Sequence, residues 1–261
     1  MLTSSRKASV QRIVSLAPNV TSILLALGVG RELVGVSKWC KHVAAIGRRP
    51  QVGDCWKLDL EEVMRLKPTL LIGSVPFATD TVEQILKKPV AFLAINPRTI
   101  ADIYNDIRII GRLVARERRA DALIRRMESA FRDAARRAAN RQGRTERARV
   151  YCEAWPKPRI SSPPWVAELV RIAGGQMVTP PGERVSDKEI TRTNPEVIVL
   201  AWTATGDRAN PGQALQNPAW KNVCAVKSRR VVVIRDELLN TPGPPLMQGA
   251  LELLHAIHSP L

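Results

Sequence analysis

The chain carries the same order of predicted elements twice, and this repeat constrains the fold more than any other feature. Residues 12–30 contain a β-branched run, a loop, a helix and terminating glycines, and residues 149–175 contain the same series. In each half, a further helix then leads through Lys-Pro or Asn-Pro into an apolar strand, at 69–74 and at 196–202. Strands that alternate with helices of this length are typical of a parallel sheet covered by helices. The sequence therefore predicts an α/β fold with two similar parallel-sheet lobes.

A long helical region separates the two copies of the repeat. Residues 99–142 place apolar side chains at three-to-four spacing on one side and arginines on the other. We expect an N-terminal lobe at 1–115, a long rigid bridging helix at 116–142 and a C-terminal lobe at 143–261. A helix limits hinge bending more than a flexible linker does. Because small molecules are commonly held between domains, this organisation favours ligand capture in a cleft between the lobes.

Two helix starts carry short polar side chains that are typical of N-caps. Asn19 precedes a helix predicted at 20–27, and Asp59 precedes the acidic helix LEEVMRLK. Such side chains accept hydrogen bonds from the first-turn amides. Both residues are therefore predicted to cap the helices that follow them.

The net charge of +16 attracts anions, nucleic acid and anionic lipid headgroups. A basic nucleic-acid-binding protein is therefore the alternative from a different class. Arginine-rich residues 108–149, however, contain acidic residues at helical spacing, which favours a solvated helix over a phosphate-binding face. We expect no nucleic-acid partner.

The sequence leaves the compartment open. No run approaches the roughly 18 to 20 apolar residues that span a bilayer. The first eleven residues lead into no signal-type apolar stretch, so either the protein is cytoplasmic or its export signal lies upstream. The four cysteines stand singly, which is poor spacing for zinc. In an exported protein, Cys40 and Cys55 could form a disulfide.

The chain lacks the sequence patterns of an enzyme. It contains no nucleophile elbow, P-loop, dinucleotide fingerprint or zinc-protease motif. His42 lies near Cys40, but the sequence supplies no third group to orient such a pair. We therefore expect a binding protein with no intrinsic cofactor or metal.

Tryptophan is unusually frequent, with six against two tyrosines and three phenylalanines. Trp39, Trp155 and Trp202 follow or end predicted strands, where the ligands of doubly wound sheets bind. Indole rings stack well on flat ligands. Trp220 is interpreted as a packing residue. The tryptophans that we expect to face a ligand are Trp39, Trp56, Trp155, Trp165 and Trp202.

Five segments together resemble a known family. They are RIVSLAPNVTSILLALG, ELVGVSKWC, DLEEVMRLKPTLLIG, WVAELVRIAGG and NPEVIVLAW. The chain is similar over about residues 12–258 to the substrate-binding proteins of ABC importers for cobalamin and iron complexes. These receptors have two α/β lobes bridged by a rigid helix, the class III arrangement of periplasmic binding proteins.

The resemblance is strongest to the cobalamin-binding branch, and it implies specific contacts. Its members hold the flat corrin with aromatic side chains and loop backbone. Trp39 matches one such aromatic, and Trp56 lies one position from another. Trp155 and Trp165 lie in EAWPKPRISSPPWVAELV, which resembles a stretch common in these members. Pro18 and Asn19 would border the cleft, and Asp236 would make a polar ligand contact. The resemblance thus implies that a cobalamin or related corrinoid is the transported ligand.

The resemblance also implies a partner and a location. Family receptors dock on an ABC permease through one acidic residue per lobe, which Glu61 matches in the first lobe. In the second lobe the equivalent position holds Lys188, with Glu189 beside it, and residues 243–245 replace a frequent arginine with Gly-Pro-Pro. We expect a monomeric protein of the periplasm or another extracytoplasmic space. Haem or a ferric siderophore is the alternative ligand, and Tyr151 and His42 are the haem-ligand candidates near the expected site.

Overall fold

The computed structural model describes residues 11–53, 57–141, 146–203, 205 and 209–258. These residues form two compact units. Unit 1 comprises the described residues up to Asn96 together with Arg108–Ala120, and unit 2 comprises Pro97–Ile107 and the described residues from Asp121 onward. The division differs from the expected boundaries at residues 115 and 143. The three-part domain organisation therefore stays a prediction.

Unit 1 is built on a parallel sheet. Its strands are β1 (Ile13–Ser15), β2 (Leu33–Ser37), β3 (Gln51–Val52), β4 (Leu70–Ser74) and β5 (Ala91–Ile95). Their order is β3-β2-β1-β4-β5, and each neighbouring pair is parallel. All five strands therefore end at the same edge, which we call the carboxyl edge of unit 1.

Three helices of unit 1 connect these strands: α1 (Pro18–Ala26), α2 (Leu60–Arg65) and α3 (Thr79–Leu86). The Asp59 carboxylate accepts a hydrogen bond from the Glu62 amide at 3.0 Å, which confirms its predicted capping role. The prediction for Asn19 is wrong. Ala17 occupies the N-cap of α1 and Pro18 begins the helix, because proline at a first helical position has a suitable backbone angle and no amide to satisfy.

The long helical region consists of two helices rather than one continuous helix. They are α4 (Ile100–Leu113) and α5 (Glu117–Arg141), and each has residues in both units. Between them Ala115 adopts a positive φ of 52° and the Arg116 amide bonds to the Gly111 carbonyl at 2.7 Å. The apolar spacing continues through this break, and no proline or glycine lies within Val114–Arg116. The apolar pattern therefore does not mark the break, although the expected start of the bridging helix at residue 116 lies beside it.

Unit 2 has a second sheet that is mostly parallel. Its strands are β6 (Ala148–Pro156), β7 (Arg159–Ser161), β8 (Gly175–Met177), β9 (Val197–Leu200) and β10 (Val231–Val233). The order is β10-β9-β6-β7, and β8 also pairs with β6. Among the pairs formed by these five strands as described, only β6–β7 is antiparallel. The predicted α/β class with two mainly parallel sheets is confirmed.

Six helices lie within unit 2: α6 (Pro164–Ile172), α7 (Asp187–Thr193), α8 (Pro211–Leu215), α9 (Cys224–Lys227), α10 (Asp236–Leu239) and α11 (Leu246–His258). Each unit has its own apolar core. In unit 1 this core includes Val14, Leu71 and Ile85, and in unit 2 it includes Ile198 and Trp220. Trp220 is fully buried, which confirms its interpretation as a packing residue.

Candidate ligand-binding site

The carboxyl edge of unit 1 brings Pro18, Asn19 and Trp39 to the ends of neighbouring strands. Pro18 and Asn19 begin α1 directly after β1, and Trp39 follows β2 by one residue. Asn19 is almost completely buried, and its amide nitrogen Nδ2 has no hydrogen-bond partner among the described residues. A buried amide donor without a partner is costly, so Asn19 is a candidate site residue.

Trp39 is held by a short 3₁₀ turn, Cys40–His42, that follows it. Its ring is half-buried, and the Lys38 ammonium lies 5.1 Å from the ring centroid, within cation–π range. The turn rests on a fully buried cluster of neutral polar groups. Thr21 Oγ1 lies 2.8 Å from Ser15 Oγ and 3.0 Å from Cys40 Sγ, and Ser37 Oγ lies 3.2 Å from the same sulfur.

The carboxyl edge of unit 2 presents Trp155, near the end of β6. Its side chain is 41% exposed, one of the few large apolar side chains on the described surface to be so open. The indole Nε1 donates to the Lys157 carbonyl at 2.9 Å, so the polar atom of the ring is satisfied by the turn itself. The remaining ring surface is apolar and available for stacking.

Trp165 and Asn240 lie close to this edge through main-chain contacts. Trp165, in the first turn of α6, is half-buried and donates from Nε1 to the Leu239 carbonyl at 2.8 Å. Asn240 follows α10, and its Nδ2 donates to the Ala201 carbonyl at the end of β9 at 2.7 Å. That bond fixes the orientation of the amide and leaves Oδ1 buried with no partner in the described part of the chain. These bonds join α6, α10 and the end of β9.

Asp236 also belongs to this region, since it is the first residue of α10, and its side chain is buried. The sequence analysis named Asp236 as a ligand contact, which stays a prediction, and did not name Asn240. The polar ending of DELLN gave a weak signal, because asparagine after a short apolar run is also an ordinary helix-ending residue.

Trp202 and Trp56 are the remaining two tryptophans that were expected to face a ligand. Trp202 is only 6% exposed and belongs to the core of unit 2, where its Nε1 donates to the Glu153 carboxylate at 2.8 Å. The ring expected to face a ligand therefore packs inside the unit. Trp56 lies outside the described residues, as does Cys55, whereas Cys40 has a free thiol.

A family model described as Periplasmic binding protein matches residues 13–238. The chain belongs to the periplasmic binding protein family. The resemblance found in the sequence is thereby confirmed.

Two curated relatives match this binding protein over nearly its whole length. It is 27% identical over 262 residues to the uncharacterized ABC transporter substrate-binding lipoprotein YvrC of Bacillus subtilis (strain 168), covering 97% of this chain and 81% of YvrC. It is 24% identical over 258 residues to the vitamin B12-binding protein of Vibrio parahaemolyticus serotype O3:K6 (strain RIMD 2210633), covering 96% and 90% of the two chains. Among solved structures, a periplasmic heme binding protein of Pseudomonas aeruginosa has a TM-score of 0.83 at 24% identity, covering 95% of this chain and 92% of that one, and shows a shared fold.

Of the two candidate haem-iron ligands in this binding protein, Tyr151 is buried and His42 is exposed. Tyr151 is fully buried and its hydroxyl donates to the Glu153 carboxylate at 2.7 Å. Burial first, and then the nearby Glu153 charge, raise the pKa of Tyr151 strongly, which disfavours the phenolate that binds iron. His42 is exposed on the first turn after Trp39. In the residues that the structure describes, no group of three or more His, Cys, Asp or Glu could hold a metal ion.

The Cys40 thiol is unsuited to nucleophilic chemistry. Burial raises its pKa above that of a free thiol, although hydrogen bonds from Ser37 and Thr21 act in the opposite direction. A buried thiol whose pKa is raised stays protonated and is a poor nucleophile. The structure thus uses Cys40 as part of the support for the Trp39 turn.

The two expected docking residues occupy similar places on helix starts. Glu61 is the second residue of α2, and its side chain is 77% exposed and lies 2.6 Å from Lys88 Nζ. The second residue of α7 is the exposed Lys188, and Glu189 follows it with its amide bonded to the Ser186 cap at 3.2 Å. Helix position therefore matches Glu61 with Lys188, and Glu189 lies one residue further along.

Proposed function

We propose that this binding protein holds cobalamin or a related corrinoid and delivers it to an ABC importer. The observation that supports this most directly is the pair of indoles in unit 2, Trp155 and Trp165. Main-chain carbonyls satisfy both ring nitrogens, so each ring is oriented while part of its surface stays open. A large planar macrocycle can stack on such rings, and the Trp39 ring of unit 1 is likewise only half-buried.

The amide groups favour a corrinoid over haem. Asn19 offers a buried donor and Asn240 a buried acceptor. The rim of a corrin carries amide side chains, which contain both a donor and an acceptor, whereas haem carries carboxylates that only accept when ionised. An acceptor such as Asn240 Oδ1 therefore suits an amide and would repel a carboxylate.

The names of the relatives support the partner and the location. One is a vitamin B12-binding protein and another an ABC transporter substrate-binding lipoprotein. We infer an extracytoplasmic protein that acts as a monomer and meets a permease through Glu61 and Glu189. No described helix is long and apolar enough to cross a membrane.

Calorimetric titration with cyanocobalamin tests the ligand. We expect stoichiometric binding with quenching of tryptophan fluorescence. Trp39→Ala and Trp165→Ala should each weaken binding by about 1–3 kcal/mol if they are central stacking residues. Leu86→Ala is a matched control, since Leu86 is a highly exposed apolar residue at the end of α3. No heat and no quenching with the wild-type protein would reject the corrinoid.

Haem is the second candidate, because a heme binding protein shares this fold. Titration with hemin, followed in the Soret region, distinguishes the two ligands. If haem is the ligand, His42→Ala should abolish the absorption change that ligation of the iron produces. Corrinoid binding by the same variant should stay close to wild type.

A further inference from the structure

A buried charged network lies beneath the Trp155 turn. Glu153, two residues before Trp155, is fully buried, and its carboxylate accepts three hydrogen bonds. Tyr151 and Arg159 donate to Oε2 at 2.7 and 2.8 Å, and Trp202 donates to Oε1 at 2.8 Å. A buried carboxylate is tolerated when it is paired and fully hydrogen-bonded in this way.

Arg159 links this carboxylate to a different element. Its Nη1 bonds to Glu153, and its Nε bonds to the Asp187 carboxylate on the first residue of α7 at 2.8 Å. The guanidinium also stacks on the Trp220 ring, 4.2 Å from the centroid. Burial tends to lower the pKa of Arg159, but the Glu153 and Asp187 carboxylates raise it, so the side chain stays charged.

Arg159 lies on the strand of the hairpin that pairs with the Trp155 segment, so its bond to Asp187 also connects that segment to α7. In the β6–β7 ladder Pro156 pairs with Arg159, and Trp155 pairs with Ile160. Glu153 holds one strand of the hairpin and Arg159 the other, with Trp155 between them. Main-chain bonds tie β7 to residues 183–185 through Ser161 and Arg159, but those bonds stop where the turn of residues 157–158 begins.

We propose that Arg159 is a positioning residue that fixes the Trp155 hairpin against α7 and thereby presents the Trp155 ring to the ligand. The inference rests on the proposed function, since it assumes that Trp155 contacts the ligand. The arginine acts through geometry: its planar group bonds to Glu153 and Asp187 at once, which a lysine ammonium on a flexible stem does poorly. The same network keeps Trp202 in the core, away from the ligand.

Asp187→Ala is the principal test, because the Asp187 side chain is 44% exposed and its loss leaves the buried Glu153–Arg159 pair intact. We expect faster hydrogen exchange without ligand at the amides of Trp155, Lys157, Arg159 and Ile160, since Pro156 and Pro158 carry no amide hydrogen. Cyanocobalamin should bind about tenfold more weakly, the scale seen when a group that orients a binding residue is removed. The thermal midpoint should change little, since half-exposed ion pairs contribute little to stability.

Glu183→Ala is the matched control, since Glu183 is an exposed acid on the segment before α7 and forms no ion pair in the described structure. It should leave exchange and affinity unchanged. Arg159→Lys should resemble Asp187→Ala. Wild-type exchange in both Asp187→Ala and Arg159→Lys would overturn the inference, and so would altered exchange with wild-type affinity. If the wild-type protein binds no corrinoid, the proposed function fails, while the exchange measurement still decides whether Arg159 holds the hairpin.

Discussion

The two units share a repeat but connect its first strand and helix differently. In unit 1, Leu16 and Ala17 alone separate β1 from α1. In unit 2, the β6–β7 hairpin is inserted before α6. The helices themselves correspond closely, because each is nine residues long, begins with proline and is followed by a glycine with positive φ, Gly28 at 74° and Gly174 at 86°.

The buried polar groups beneath the two carboxyl edges also differ, since those of unit 1 are neutral and those of unit 2 are charged. Unit 1 supports its edge with the neutral cluster of Ser15, Thr21, Ser37 and Cys40. Unit 2 supports its edge with the charged network around Glu153 and Arg159. The short connection consists of the apolar residues Leu16 and Ala17, whereas the hairpin supplies the arginine. The inserted hairpin thus adds an exposed indole together with the charged groups that hold it.

Arg159→Met should have the largest effect on unit 2. It leaves the Glu153 carboxylate buried without its charged partner, and we expect the free energy of unfolding to fall by about 3–5 kcal/mol. Urea unfolding followed by circular dichroism measures it. Glu153→Gln combined with Arg159→Met removes both charges and should recover much of the loss. If Arg159→Met alone were as stable as wild type, the charged network of unit 2 would contribute no more to the free energy of unfolding than the neutral cluster of unit 1.

Asp106 is a buried carboxylate that contrasts with Glu153, since one of its oxygens lacks a hydrogen-bond partner among the described residues. It lies on α4 within unit 2, is 8% exposed, and its Oδ2 has no hydrogen-bond partner among the described residues. Burial, and then the Asp102 charge, raise the pKa of Asp106 to about 6. Its folded-state pKa is above the unfolded value, so the wild-type free energy of unfolding should fall as pH rises from about 4 to about 6.

Asp106→Asn should therefore stabilise the protein by about 1–3 kcal/mol at pH 7 and have almost no effect at pH 4. Thermal unfolding at both values measures the difference. An equal gain at both would show that the effect does not come from titration of this carboxyl group.

Thr21→Val probes the neutral cluster of unit 1. It removes one hydroxyl that contacts Ser15 and Cys40 but leaves no buried charge. We expect a loss of about 1 kcal/mol in the free energy of unfolding, the usual contribution of a neutral hydrogen bond. Thr191→Val on the exposed face of α7 is the control. A loss as large as that of Arg159→Met would contradict the contrast between the units.

Lys188→Glu should have the smallest effect. A lysine in the first turn of α7 opposes the helix dipole, whereas Glu61 at the same position of α2 complements it. We expect a gain of about 0.3–1 kcal/mol that decreases with added salt. Glu61→Lys is the mirror variant and should be destabilising to a similar extent. If both variants changed the free energy of unfolding in the same direction, charges other than the helix dipoles would dominate at these positions.

Features of both units that depend on residues a few positions apart, such as helix caps, could be predicted from the sequence. Asp59 was identified as a cap because capping depends on residues three apart. Asn19 was misassigned because two adjacent residues, proline and asparagine, each suit a helix start, and proline prevailed. The expected start of the bridging helix at residue 116 lies beside the break at Ala115, but the apolar spacing that continues through residues 99–142 did not indicate that the backbone changes conformation there.

The candidate site shows the same limit. Trp39, Trp155 and Trp165 could be placed near strand ends or a helix start by periodicity. The burial of Trp202 could not, because it depends on a carboxylate 49 residues earlier in the chain. Asn240 was not singled out because its place beside the end of β9 follows from a hydrogen bond to Ala201, 39 residues earlier in the chain.

By itself, the sequence determined the class of fold, the repeated strand–helix order and the family, since hydrophobic period, proline and glycine act over a few residues. Only the tertiary structure decided which indoles remain open, which polar atoms lack a partner and how Arg159 joins β7 to α7. Those properties depend on burial and on distances between residues far apart in the chain, which no local pattern records.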